Sequence, residues 1–566
     1  MDAELQRPWL THYPEDIPKH IEYDEKSLQD YLREGSEEEP TKTLLHFMGK
    51  EMTFKEVYQS SLRFANALRN LGVKKGDRVA IMLANTPQSV ISYYGILMAG
   101  GVVVQTNPLY VERELEHQMV DSGAKIMICL DLVYPRVMNV KGKTEIEHVI
   151  VTKIKDYLPF PKNVIYPYIQ KKNTGLTVDI NYGNKTHSFL ELLKSSSIDE
   201  IVKDVNVKED LALLQYTGGT TGVAKGVMLT HFNLVANTTQ CIKWMHKIDH
   251  GNEVILCALP FFHVYGMTVG MNFSVMDRSK MVILPKFDTK QTLQAIEKQK
   301  VTIFPGAPTM YIGLINDPNV KKYNLSSIEV CISGSAPLPV EVQQRFEELT
   351  GGKLSEGFGL TEASPVTHFN LMWGKRPSGS IGLPWPDTDV AILSAETGEP
   401  TIPGEVGELM IRGPQVMKGY WNRPEETGAI FHDGWLLTGD MGYMDKEGFF
   451  YIVDRKKDMI IAGGFNIYPR EIEEILYEHD AIQEVVALGV PDPYRGETVK
   501  AFIVLKEAKN VTEKELDQFC RKHLSSYKVP RFYEFREELP KTMVGKVLRR
   551  ALLDEERGKQ KEKISS

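Results

Sequence analysis

Short apolar runs alternate with longer segments of helical period along most of this chain. Residues 79–83, 125–130, 254–258 and 281–284 read as buried strands, and residues 55–71 and 340–349 carry apolar positions at three- and four-residue spacing. That alternation predicts an α/β fold with largely parallel, buried sheets, in which ligands sit beyond the strand ends. The most apolar long stretch, residues 90–105, is interrupted by Tyr93, Tyr94, Gly95, Gly100 and Gly101. It falls short of the roughly 20 apolar residues that cross a bilayer and is expected to be a core helix running into a strand.

From Leu409 the texture changes to short segments broken by turns, such as Asp433-Gly434, Thr438-Gly439-Asp440 and Gly463-Gly464. This predicts a β-rich subregion leading to a domain boundary. A compact α+β unit follows, with helices expected at residues 469–479 and 512–524 and strands near 484–490 and 500–505. Pro469 suits a first helical turn, and Ile472, Ile475 and Leu476 form its apolar face. The boundary is placed at Asp454. Residues 1–453 form a large N-terminal domain, 454–556 a small C-terminal domain, and the polar tail 557–566 is expected to be disordered. Residues 157–172, YLPFPKNVIYPYIQKK, read as an insertion. It is either a packed surface loop or one that brushes a membrane or docks a partner.

Composition narrows the function classes. A chain of 566 residues is too long for one ordinary core, and 42% hydrophobic with 25% charged residues argues against extensive disorder and against a multi-spanning membrane protein. A net charge of −8 and the lack of a basic arm exclude nucleic acid as the expected partner. The opening MDAELQRPWLTHYPED has no basic region followed by an apolar run, so no secretory signal is expected and the location is cytoplasmic, extending at most to the inner face of the membrane. The five cysteines show neither C-x-x-C spacing nor clustering with histidine, which fits core filling in a reduced compartment without zinc.

The densest chemical signal is residues 216–231, YTGGTTGVAKGVMLTH. An apolar strand delivers Gly218, Gly219 and Gly222, whose backbone N–H groups can approach an anion closely. Thr217, Thr220 and Thr221 add hydroxyl donors, and Lys225 adds a positive charge. That is a phosphate cradle, but not the Walker loop: Lys225 precedes a glycine, and the next residues look like a strand instead of a helix.

The loop YTGGTTGVAKG resembles the signature of the adenylate-forming superfamily (ANL-type), the acyl-CoA synthetases, firefly luciferase and peptide-synthetase adenylation domains. Other segments follow in that superfamily's order from about residue 53 to 552. Gly334-Ser335-Ala336-Pro337 resembles the adenine-side segment, and EGFGLTE at residues 356–362 resembles the element whose aromatic ring and backbone sandwich the base. The resemblance therefore implies that Gly357, Phe358, Gly359 and Thr361 face adenine, and that Glu362 with Thr217 holds Mg²⁺. WLLTGD implies Asp440 on the ribose hydroxyls, and DRKKDMI implies Arg455 beside it. Asp454 falls at the superfamily's hinge, Gly463 and Gly464 along the coenzyme A channel, and PKTMVGKVLR makes Lys546 the catalytic lysine. A large domain of stacked α/β sheets and a small mobile α+β domain are the implied fold.

Residues 433–457 and the flanking QVMKGYWNRPEET and PFFHVYG segments resemble bacterial long- or medium-chain fatty acid–CoA ligases. The implied acyl tunnel runs near His263, Met267, Gly306 and Gly334, stretches without a charge to pair with a polar acyl tail. Where some long-chain enzymes close the tunnel with tryptophan, this chain has Met267, flexible enough to pass a chain. His263 either meets the acyl carboxylate or stacks in the wall. The expected partners are fatty acid, ATP and coenzyme A, with membrane-surface contact and a homodimer as further states. A ligase for another carboxylic acid, or one delivering to a carrier protein, is the alternative; a non-catalytic binding relic is disfavoured by Lys546, Glu362 and Asp440.

Overall fold

Local signals set the helices before packing does. The Thr53 hydroxyl accepts from Glu56 N–H while the Glu56 carboxylate accepts from Thr53 N–H, so a capping box opens the helix Phe54–Asn70. Seven of its buried positions, Phe54, Val57, Tyr58, Ser61, Leu62, Ala65 and Leu68, fall on one stripe, and Phe64 and Ala67 beside it are buried as well. The glycine-interrupted apolar stretch forms the buried helix Pro87–Ala99, which ends at Gly100 in the left-handed conformation (φ 79°) and turns into the strand Val102–Gln105. The computed structural model describes residues 7–201, 204–217, 224–394, 397–462, 465–492, 495–542 and 546–565.

Two large sheets make the body of the N-terminal region. An 8-stranded sheet places Leu211–Thr217 between Val102–Gln105 and Lys225–Thr230; a 9-stranded sheet carries Ile303–Gly306, Val330–Ser333 and Lys353–Gly359 side by side. Most of their pairs are parallel, and their strands are buried on both faces, as near-continuous apolar sequence requires. A third, 5-stranded antiparallel sheet includes Gly407–Arg412, Trp435–Met444 and Phe450–Arg455, the β-rich subregion.

The C-terminal region is an α+β unit around a sheet whose longest ladder pairs Ile482–Asp492 with Gly496–Leu505. Alternation gives this sheet two apolar faces. Val485, Ala487, Ala501 and Ile503 pack with the helices Pro469–Tyr477 and Glu513–His523, whereas Val486, Leu488, Phe502 and Val504 pack with Leu539 and Leu552. One hydrophobic cluster runs from Trp9 to Phe450, and the two clusters of the small unit begin at Ile460 and Val486.

Two segments differ from the sequence-based expectation. The polar tail continues the helix Arg549–Ser565 instead of lacking structure. Straight-chain residues favour helix, and the pairs Arg557–Asp554 and Lys559–Glu556 at i, i+3, with Lys559 also on Glu534, hold the turn that was expected to fray. Most of the 157–172 segment is helical, within Lys162–Thr174. Cys129, Cys241, Cys257, Cys331 and Cys520 are all free and buried. No described helix is long and apolar enough to cross a membrane.

Candidate active site

The strands Leu211–Thr217 and Lys225–Thr230 run antiparallel with Thr217 opposite Lys225, so the two residues stand at the mouth of one hairpin. Gly218, Gly219, Thr220, Thr221 and Gly222 lie outside the described residues. The hairpin base is braced through Asp121: its carboxylate accepts from the Tyr216 hydroxyl at 2.6 Å and its carbonyl from Trp421 Nε1 at 3.1 Å. The Lys225 ammonium pairs with Glu426 and lies 4.9 Å above the Tyr420 ring. Tyr420 in turn donates its hydroxyl to Glu362 Oε1 at 2.7 Å. Lys225 and Glu362 are thus linked through one tyrosine, a connection the motifs do not reveal.

The strand Val330–Ser333 delivers Gly334, Ser335, Ala336 and Pro337, with Ser335 held at φ 71°, a conformation non-glycine residues avoid. Beside it, Lys353–Gly359 leads into Thr361 and Glu362 and returns antiparallel as Val366–Phe369. A Cβ at Gly359 would lie 2.1 Å from the Pro365 carbonyl oxygen, so this crossing admits only glycine. Phe358 is half-buried, its ring edge-on to His368 at 5.8 Å.

Asp440 and Arg455 face each other across the ladder of Trp435–Met444 with Phe450–Arg455, at 3.4 Å from Nε to Oδ1. Burial raises the Asp440 carboxyl, and Arg455 and then Lys546 oppose it. Lys546 is presented by a tight turn in which Thr542 N–H donates to the Lys546 carbonyl and Lys546 N–H to the Thr542 hydroxyl. Burial, followed by the nearby Arg455, pushes the Lys546 ammonium down to about 7, against the pull of Asp440. His263 is pushed down to about 4 by burial and then by the nearby Lys546 ammonium. Arg549 Nη2 donates to both Glu473 carboxylate oxygens, at 2.7 and 2.9 Å, and Nη1 to the Ala487 carbonyl at 2.6 Å, which fixes the terminal motif to the helix Pro469–Tyr477 and its neighbouring strand.

Asp454 is buried and accepts from Arg455 N–H at 2.7 Å and from Arg470 N–H at 2.9 Å. The cap residue Tyr468 provides no side-chain acceptor, so the Asp454 carboxylate serves the first turn of Pro469–Tyr477 from another segment. Arg470 then reaches across to Glu356 at 4.0 Å, both side chains nearly buried. Burial raises the Glu356 carboxyl to about 7 even with Arg470 opposing it.

These groups border one continuous cleft of about 2970 Å³, lined by Thr217, Lys225, His263, Gly334 to Pro337, Gly357 to Glu362, Asp440, Asp454, Arg455 and Lys546. The same cleft is also lined by the apolar side chains of Met245, Val269, Ile312 and Ile332 and by Tyr265. Met267 and Gly306 are not in that lining. Met267 is fully buried one turn behind His263, whose carbonyl its N–H meets at 3.0 Å, and the Gly306 carbonyl accepts from Gly334 N–H at 3.2 Å. Gly463 and Gly464 lie outside the described residues, between the paired strands Ile460–Ala462 and Phe465–Ile467.

Thr217 and Glu362 suit Mg²⁺ as hard oxygen donors in the same cleft. No group of three or more His, Cys, Asp or Glu side chains able to hold a metal occurs among the described residues, so a metal here would draw its remaining ligands from phosphate and water.

Comparison with known proteins agrees with this geometry. The model of the AMP-binding enzyme family matches residues 32–421, and that of the AMP-binding enzyme C-terminal domain matches residues 471–546. A long-chain-fatty-acid–CoA ligase of Bacillus subtilis (strain 168) is 56% identical over 97% of this chain and 98% of its own. A long-chain-fatty-acid–CoA ligase of Escherichia coli O157:H7 is 42% identical over 98% of this chain and 99% of its own. The crystal structure of ATP-bound MatB from Rhodopseudomonas palustris superposes with a TM-score of 0.82 at 28% identity, over 94% of this chain and 99% of that one. The chain belongs to the AMP-binding, adenylate-forming enzymes.

Proposed function

We propose that this protein is a long-chain or medium-chain fatty acid–CoA ligase that works through an acyl-adenylate. The observation that carries the reading is the convergence of Lys546, Asp440, Arg455, Glu362 and Thr217 on one cleft that is also lined by apolar Met245, Val269, Ile312 and Ile332. In the first step a fatty-acid carboxylate oxygen bonds to the α-phosphorus of ATP and pyrophosphate leaves. In the second the coenzyme A sulfur bonds to the acyl carbon, AMP leaves with the bonding electron pair, and the thiol proton is released.

Each group has a physical task in the first step. Bringing a carboxylate to a phosphate is opposed by charge repulsion, so cations are needed where negative charge accumulates. Lys546, partly discharged by burial, becomes fully protonated when phosphate and carboxylate arrive beside it. Lys225 exchanges its Glu426 partner for phosphate oxygen. Asp440 accepts from the ribose hydroxyls while Arg455 holds its charge, and Phe358 packs on adenine. When bound, Mg²⁺ shields the phosphate charges, with Glu362 and Thr217 as this chain's donors for it.

The small domain rotates about Asp454 between the steps, withdrawing Lys546 and bringing residues 463–464 to the acyl centre, a gating motion. Peripheral contact with a membrane and self-association as a dimer complete the functional reading. Lys546→Ala tests the division of labour. Pyrophosphate release should fall at least about 100-fold, as for loss of a charged transition-state donor, while conversion of supplied acyl-adenylate to acyl-CoA stays near the parent rate. Equal loss in both steps, or acyl transfer to a carrier protein in preference to coenzyme A, would sink the reading.

A further inference from the structure

The helix Lys162–Thr174 is amphipathic in the wrong sense for a surface helix. Asn163, Tyr166 and Gln170, at three- and four-residue spacing, are its half-buried positions. Gln170 donates to Asp131 at 3.3 Å, Tyr166 packs against the main core, and Asn163 Oδ1 is buried without a partner. The outward face holds Val164 (56% exposed), Ile165 (48%), Tyr168 (75%) and Ile169 (47%), with Phe160 (82%) at its start. Residues one turn apart align on a helix, so these apolar side chains form one stripe turned to solvent. Apolar residues facing water while polar ones face the protein indicate a surface that meets something else.

Charge identifies the occupant. Residues 157–178 contain three lysines, Lys162, Lys171 and Lys172, and no acid. Lys171 and Lys172 have no carboxylate partner among the described residues, whereas the Lys162 ammonium donates to the Met48 carbonyl at 2.7 Å and ties the helix start to the body. A second copy docked on this face about a twofold axis would set lysine against lysine with no compensating acid. An anionic bilayer offers what the face lacks, hydrocarbon for the stripe and phosphate for the lysines.

We propose that the helix Lys162–Thr174, with Phe160, is a docking surface for the headgroup region of an anionic membrane, lying in the interface plane. It rests on the fatty-acid reading only in that a bilayer is where a long-chain acid partitions. The full-length protein should sediment with vesicles of phosphatidylcholine plus phosphatidylglycerol, and less with phosphatidylcholine alone or at high salt. In the variant Ile165→Asn/Tyr168→Ser/Ile169→Asn, vesicle partitioning should fall at least about tenfold, as expected when most of the buried apolar area is lost. Lys171→Glu/Lys172→Glu should remove the phosphatidylglycerol preference. These side chains are solvent-facing, so an unchanged melting midpoint and unchanged turnover of a water-soluble acid control for folding. A parent that does not bind vesicles, variants that bind as the parent does, or a variant that changes only the sedimenting mass of the free protein would overturn the proposal. Partitioning is read without turnover, so failure of the ligase reading would leave this result standing by itself.

Discussion

Replacing Arg470 with methionine separates positioning from chemistry. Arg470 belongs to the small unit and touches no candidate substrate group; its guanidinium stands 4.0 Å from the Glu356 carboxylate of the large one. Two unit charges at that separation attract by about 4 kcal/mol at an effective dielectric constant of about 20, before desolvation is subtracted. Desolvation is substantial here, because Glu356 rises to about 7 despite its partner. Once Arg470 is gone, Glu356 takes up a proton near neutrality, which limits the loss to roughly half the Coulomb figure, about 2 kcal/mol.

Under the proposed rotation that energy is lost only in the arrangement that brings Lys546 to the cleft, since the pair spans the two units. A bias of about 2 kcal/mol lowers the population of that arrangement by about 30-fold relative to the rotated one. Single-turnover pyrophosphate release should therefore slow by roughly 10- to 50-fold at neutral pH, whereas thioester formation from supplied acyl-adenylate should hold or quicken. Arg470 also bonds Glu474 at 2.9 Å within its own helix, so a double-mutant cycle with Glu356→Gln is needed to isolate the cross-domain part. Equal slowing of both half-reactions, or additivity of the two substitutions, would refute the latch.

Three further outcomes follow from the site. Tyr420→Phe removes the 2.7 Å hydrogen bond to Glu362 while keeping the ring over Lys225, so the Mg²⁺ concentration for half-maximal pyrophosphate release should rise about 10- to 150-fold, the equivalent of one hydrogen bond to a charged group. Gly359→Ala drives a Cβ into the Pro365 carbonyl and should lower the thermal midpoint and displace Glu362; a melting point and Mg²⁺ dependence matching the parent would show that the crossing can relax. Folding holds a proton on Glu356 up to about pH 7, whereas the unfolded chain releases it near the ordinary glutamate value of 4.5. Stability should therefore decline as pH rises through that window, by up to about 3 kcal/mol, and the slope should vanish in Glu356→Gln when denaturant midpoints are compared across pH.

What the sequence discloses about this protein is local in origin. A run of alternating periods announces strands and helices, and a strand followed by glycines, threonines and lysine announces a phosphate loop, because each is decided within a few residues. Thr217 opposite Lys225 and Asp440 opposite Arg455 could be anticipated from such motifs, since each sits where a motif meets a strand end. Met267 could not be placed: it neighbours the cleft-lining His263 in sequence, but one helical turn carries its side chain into the core. Tyr420 and Glu362 are 58 residues apart, and no periodicity relates them.

The helix Lys162–Thr174 exposes a different limit. Its aromatic, apolar and lysine residues are visible in the sequence as an insertion, but which of them face outward depends on what packs behind the helix, and here Asn163, Tyr166 and Gln170 meet the body. Asp454 shows the same dependence. As a lone aspartate at the end of a strand it carries no signal beyond resemblance, yet its carboxylate replaces the cap that Tyr468 does not provide for Pro469–Tyr477. That helix also carries Glu473, which grips Arg549 three residues beyond Lys546. Lys546 is therefore tied to Asp454 through the Arg549–Glu473 pair, the helix Pro469–Tyr477 and the Asp454 cap on its first turn. The proposed rotation at Asp454 would carry Lys546 as part of one body, not as a loose loop.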